Sequence, residues 1–239
     1  MDALKAFIRA GGAVSIATGR QYTDTLSFFE DIRFSAPLVL TNGSCIYDQN
    51  EKRVIHSDLL PLGCVKEAVE IAKRHDDIWV VVADEKQIYQ LSQSPEKNAR
   101  TADGFPRLML DESSFLSLEA GKLCFVCADA SQMGVLWDIV NKMETRPLIA
   151  GFQSSPLYLE MVKKRVSKAS GIKKAAALAG LTGRKLVCIG DYLNDYDMLK
   201  MADIAACPIN AAPEILEICQ IVTCHHNEGA FADLLTKLP

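Results

Sequence analysis

Residues 185–189, Lys-Leu-Val-Cys-Ile, run directly into Gly190, Asp191, Asn194 and Asp195 at what reads as a helix start. A parallel strand ending in a GDxxND pattern sets two carboxylates and an amide at the carboxyl end of its sheet, where open α/β folds bind ligands. Such a cluster suits Mg²⁺, which takes oxygen ligands, keeps several waters and shares its coordination with substrate phosphates. Phosphoryl chemistry is the first expectation.

The chain is long enough for one large domain or two smaller ones, with 239 residues of which 49% are hydrophobic. No stretch approaches the roughly 18 apolar residues of a membrane span, and the N-terminus carries no export signal. A soluble, cytoplasmic protein is expected. The net charge is −4, with acidic and basic residues interspersed, so no broad basic face points to nucleic acid or anionic lipid. Without an export signal the eight cysteines should stay reduced. Cys124 and Cys127 form a CxxC, but residues three apart on a strand face opposite sides of the sheet. Cys219, Cys224, His225 and His226 have no second pair to complete a zinc site.

Helix and strand signals alternate along the first third. Leu4, Phe7 and Ile8 repeat at helical spacing, Gly11 and Gly12 stop that helix, and residues 13–17 read as a short buried strand. Residues 37–40 read as another strand opening into Thr41, Asn42, Gly43, and residues 45–47 and 53–56 flank a polar turn. From Pro61 the rhythm changes. A helix bearing Val65, Ala68, Val69 and Ala72 precedes strands 78–83 and 87–92 around an Asp84, Glu85, Lys86 turn. Strand 122–128, a helix carrying Leu136 and Val140, and strands 147–152 and 157–162 follow. This block predicts a mainly antiparallel sheet covered on one face, a separate inserted domain. The last third returns to strict alternation, a doubly wound parallel arrangement.

Four motifs in order now stand out: Thr18, Gly19, Arg20 after one strand; Thr41, Asn42, Gly43 after the next; Val166, Ser167, Lys168 at a helix start; and the Gly190–Asp195 tetrad. Together they resemble the haloacid dehalogenase (HAD) superfamily, in its Cof-type sugar-phosphatase branch, over essentially the whole chain. The resemblance implies an α/β fold with a HAD-like doubly wound parallel, Rossmann-like core at residues 1–56 and 157–239, and an inserted α+β cap of type IIB at 57–156. It also implies an Mg²⁺-dependent phosphatase of a small phosphorylated metabolite such as a sugar phosphate. Thr18 and Lys168 would act on the phosphoryl group, Gly19, Arg20, Asn42, Gly43 and Asn194 would contact substrate, and Asp191 and Asp195 would serve the metal. The roles are physically sensible. A strand-tip hydroxyl and the following N–H groups hold phosphoryl oxygens, and an ammonium neutralises charge as the group transfers. Lys86, Arg100 and Arg107 are candidate cap contacts for polar substrates. Neither the particular alcohol nor the oligomeric state is readable.

One departure is large. The family's chemistry uses an aspartate nucleophile and a second aspartate two residues on, in a DxDGT-type motif on a first strand. Only 17 residues precede Thr18, against roughly 30 for a complete strand, crossover helix and second strand. The sole DxD, Asp195 with Asp197, lies inside the metal motif. No cysteine has an arginine six positions on, and no GxSxG or HExxH occurs. Negligible phosphatase turnover is therefore expected of this polypeptide. Two readings stay open: a phosphatase whose sequence as given begins late, or a non-catalytic relative that binds a phosphorylated ligand or a partner. Loss of a central strand leaves two buried edges. Another segment fills the gap, the flanking strands close on each other, or the core loosens.

Overall fold

The hydrophobic period changes twice along the chain, and the computed structural model, which describes residues 2–27, 29, 32–84, 87–93 and 107–239, shows two bodies of structure built on those changes. Helix α1 (Asp2–Arg9) places Leu4 in a cluster with Ile32, Phe34, Leu38, Leu40 and Tyr47. After α2 (Tyr22–Ser27), strands β1 (Leu38–Leu40), β2 (Cys45–Asp48) and β3 (Arg53–Ser57) form an antiparallel three-stranded sheet. Its β2–β3 turn is held by Asp48, whose Oδ1 accepts from the N–H groups of Asn50 and Glu51 at 2.8 and 3.0 Å.

The inserted block contains α3 (Cys64–Arg74), β4 (Ile78–Ala83), β5 (Ile88–Leu91), β6 (Leu108–Leu110), α4 (Glu112–Leu116), β7 (Lys122–Cys127), α5 (Met133–Val140), β8 (Ile149–Ser155) and β9 (Tyr158–Lys163). These strands make one sheet in the order β6-β5-β4-β7-β9-β8, antiparallel except for the β5–β6 pair. One face packs on the helices through Ala68, Val69, Phe115, Leu123, Phe125 and Leu136. The other carries a smaller cluster of Trp79, Val81, Cys124 and Val126. Cys124 and Cys127 thus lie on opposite faces, as the strand period requires. Strand β9 is bonded to both β7 and β8, so this sheet runs on to Lys163, past residue 156 where the insert was expected to end. Of the expected tight turn at 84–86, Asp84 accepts from Gln87 N–H, and Glu85 and Lys86 lie outside the described residues.

Helix α6 (Lys168–Leu178), β10 (Val187–Ile189), α7 (Tyr196–Met201), β11 (Ile204–Pro208), α8 (Pro213–Leu216), β12 (Ile221–Thr223) and α9 (Ala230–Lys237) complete the chain. Strands β10, β11 and β12 are parallel neighbours in sequence order, connected through helices. This is an α/β arrangement with a parallel sheet.

Residues 13–17 do not form the buried strand expected of them. Val39 N–H donates to Ile16 O and Thr18 N–H to Val39 O at 2.8 and 2.9 Å, yet only the isolated Ala17–Val39 bridge results. Ala13 and Ser15 are exposed. The physical reason is that only one edge of this segment has a ladder partner, because no described strand lies between it and β10. Ala17 packs against the cluster around Cys188, but direct strand closure across the gap does not occur among the described residues.

Both connections to the insert meet at Asp58, which accepts from Lys174 Nζ on α6 at 2.9 Å and from Lys163 Nζ at the end of β9 at 3.4 Å, with His56 Nε2 at 2.9 Å. Burial alone would raise its pKa, but hydrogen bonds from Lys174 and His56 outweigh it and lower the carboxyl to about 2. A carboxyl more acidic in the folded state than in the unfolded one adds stability that is complete above about pH 4 and disappears as pH falls toward 2. After solvent screening, Asp58→Asn should cost about 1 kcal/mol at pH 7. Urea unfolding of both proteins should show that difference closing between pH 4 and pH 2.

Candidate functional site

The loops at residues 18–20 and 41–43 are joined by their backbones: Asn42 N–H donates to Thr18 O and Thr41 N–H to Arg20 O, both at 2.9 Å. Thr41, Asn42 and Gly43 all adopt positive φ, at 47°, 57° and 98°. For Thr and Asn this costs of order 1–3 kcal/mol each and survives only where the surroundings over-determine it. Here they do. The Thr41 and Ser44 hydroxyls are 2.5 Å apart, and the Asn42 side chain, wholly buried, is bonded at both ends. Gly43 is required for a second reason, since a Cβ there would lie 2.1 Å from Ser167 O.

That contact seats the start of α6 on the turn. Ser167 and Ser170 form a reciprocal cap, Ser170 N–H to Ser167 Oγ at 3.3 Å and Ser167 N–H to Ser170 Oγ at 2.9 Å. Lys168, only 7% exposed, extends from the first position of the helix to Asp195, Nζ to Oδ1 at 2.6 Å. The other oxygen of Asp195 accepts from the backbone N–H groups of Asp191 and Tyr192 at 3.0 and 3.3 Å. Gly190 makes room for this clamp, because its Cβ would fall 2.6 Å from the Asp195 side chain.

Thr18, Gly19, Arg20, Lys168, Asp191 and Asn194 line one cavity of about 460 Å³ between the core and the inserted sheet. A second space of about 350 Å³ shares Lys168 and Asn194 with it. Six of the nine residues assigned from sequence therefore face a common volume. Asn42 and Gly43 support it from behind, through Asn194 Nδ2 to Asn42 Oδ1 at 3.3 Å and through the α6 contact. Thr18 Oγ1 accepts from Arg20 N–H at 3.1 Å, which leaves the hydroxyl proton available to a ligand.

Both oxygens of Asp195 are engaged, by Lys168 and by backbone donors, and it is 3% exposed, so in this structure it orients the lysine. Asp191 presents an exposed carboxylate to the larger cavity and Asp197 one to the smaller space, and no group of three or more His, Cys, Asp or Glu able to hold a metal occurs among the described residues. This donor set does not make a resident Mg²⁺ centre by itself.

Sequence reasoning did not find Lys122 and Glu160, which reach the cavity from β7 and β9. Lys122 Nζ donates to Glu160 Oε1 at 3.1 Å and to Gly19 O at 2.7 Å, and Asn42 Nδ2 donates to Glu160 Oε2. The available signal was a lone carboxylate between Leu159 and Met161 in an otherwise apolar strand. Arg107, a candidate cap contact, lines the cavity and donates to Gln90 at 2.7 Å. Arg100 and Lys86 lie outside the described residues.

A family model for haloacid dehalogenase-like hydrolases matches residues 1–235. The chain belongs to this family. Among curated HAD-family relatives, it is 22% identical over 239 residues to the 5-amino-6-(5-phospho-D-ribitylamino)uracil phosphatase YitU of Bacillus subtilis (strain 168), spanning 95% of this chain and 85% of that protein. It is 25% identical over 240 residues to a hydrolase of Schizosaccharomyces pombe, spanning 94% and 78% of the two chains. The HAD subclass IIB sugar phosphatase BT4131 superposes with a TM-score of 0.82 at 17% identity, covering 99% of this chain and 89% of that one. The TM0651 structure from Thermotoga maritima does so with 0.79 at 20% identity, covering 100% and 89%. These likenesses establish the fold, an α/β HAD core with an inserted type IIB cap.

Proposed function

We propose that this chain binds the phosphoryl group of a small phosphorylated metabolite, such as a sugar phosphate, at the cavity between core and cap, and that the 239-residue polypeptide hydrolyses it negligibly. The reading is that of a phosphatase-family site which retains its phosphoryl-holding wall. Its main support is the cavity lining, where Thr18, Lys168, Asp191 and Asn194 arrive from three separate stretches of sequence. Thr18 offers a hydroxyl donor and Lys168 a buried ammonium already oriented by Asp195, which suits a dianionic oxygen cluster. The subtilis relative is named for a phosphorylated small molecule.

Phosphatases of this family generally use Mg²⁺. In this chain Asp191 would be its protein ligand, with the remaining positions left to water and phosphate oxygens. The missing part is the attacking atom. Of the cavity carboxylates, Glu160 is bound to Lys122 and Asn42, while Asp24 lies on α2 and Asp191 follows β10, neither with an aspartate two positions away. The cap would exclude solvent over a bound ligand. A cytoplasmic setting fits the eight cysteines, all free thiols, and no helix among the described residues is long and apolar enough to cross a membrane.

Incubation of the purified chain with p-nitrophenyl phosphate and Mg²⁺ should release phenolate at the protein-free rate. Sustained Mg²⁺-dependent release above that rate would sink the inactivity claim.

A further inference from the structure

We infer that Lys122, carried by the cap, is a second phosphoryl-binding cation, held in reserve by Glu160 until an anion arrives. This rests on the phosphoryl-binding reading and extends it to a residue outside the four motifs.

Strand β7 projects Lys122, Cys124 and Val126 to the same face, and pairing sets Glu160 of β9 opposite Cys124. On the face turned from the cap helices this makes a polar end, Lys122 and Glu160, beside an apolar patch of Val81, Cys124 and Val126. The polar end lies toward the core. Lys122 Nζ is 2.7 Å from Gly19 O, and the N–H of the same Gly19–Arg20 peptide donates to Thr18 Oγ1. Lys122 therefore fixes the orientation of the peptide that follows Thr18, and its ammonium sits at the backbone expected to hold phosphoryl oxygens. Its side chain is 13% exposed and that of Glu160 11%. An ammonium so withdrawn from water needs anionic company. Glu160 supplies it now, and a phosphate dianion at Thr18 would supply more.

The same contacts could serve only to fasten the cap to the core, through Asn42 and Gly19. The two roles predict opposite signs for one substitution. If Lys122 serves the anion, Glu160→Gln removes a competing negative charge and frees the ammonium, so phosphate binds more tightly. If the pair is only a fastener, the same change loosens the cap and binding weakens.

Orthophosphate is titrated calorimetrically into the native full chain and into K122M, K122R, E160Q and K168M, with thermal melts to establish folding. Loss of one charge-assisted contact corresponds to about tenfold in affinity, so K122M should bind about tenfold more weakly. K122R, which keeps the charge, should stay within about threefold of native, and E160Q should bind more tightly. Native-like binding by K122M, or weaker binding by E160Q, overturns the assignment of Lys122. Should K122M fail to fold, the sign of the E160Q change decides alone. If native chain takes up no orthophosphate, the phosphoryl-binding reading itself falls. If native binds, K168M does not and K122M equals native, only the inference about Lys122 falls.

Discussion

Lys168→Met should abolish orthophosphate binding and lower the unfolding free energy by about 3 kcal/mol, the low end of the range for breaking a buried ion pair by removing one partner. The low end applies because Asp195 keeps its two backbone donors, Asp191 and Tyr192 N–H, after the ammonium is gone. The carboxylate nonetheless stays 3% exposed and loses its countercharge. Urea denaturation at pH 7 measures the stability change, and calorimetry with phosphate measures the binding. A structural role alone would give the first effect without the second. The companion variant Asp195→Asn should destabilise comparably while retaining a weakened site, since its lysine would remain at the cavity but no longer be oriented.

Gly43→Ala carries the other large effect. The added Cβ would lie 2.1 Å from Ser167 O and 2.7 Å from Ser167 C, both backbone atoms, and the residue has φ of +98°. Neither a rotamer change nor a side-chain shift relieves a backbone clash, so the 41–43 turn and the start of α6 must separate. The expected cost is about 3 kcal/mol or more. Because the same turn holds Asn42 against Asn194 and the same helix end holds Lys168, phosphate binding should disappear with it. Gly180→Ala is the control. Its φ is also positive, at +67°, but nothing lies within 4 Å of the added methyl, so it should cost about 1 kcal/mol and leave binding intact.

The parts of the site that were legible in sequence are those whose function depends on local backbone. Thr41, Asn42, Gly43 follow an expected strand, Val166, Ser167, Lys168 stand at an expected helix start, and Gly190 followed by Asp191 announces a strand tip, each from residue type and spacing alone. The partner of Asp195 was not legible for the complementary reason. The chemistry of this carboxylate is set by Lys168, 27 positions away, and the sequence does not record which oxygen meets which nitrogen. Lys122 and Glu160 were invisible because a strand's alternation shows which residues share a face but not what that face confronts. Residues 13–17 carry the apolar pattern of a strand, yet a strand is made by its neighbours, and only β1 bonds to this one. Strand β6 was missed because three residues, Leu-Met-Leu, are too few for a period to declare itself.

The most direct measurement is ³¹P NMR of the native chain incubated with glucose 6-phosphate and Mg²⁺. A pocket that holds the phosphoryl group without an atom to attack it should shift or broaden the ester resonance in proportion to protein, while its total intensity stays constant and no orthophosphate signal grows. An orthophosphate signal that rises past the protein concentration would contradict the absence of a nucleophile, and an ester resonance unaffected by protein would contradict the pocket.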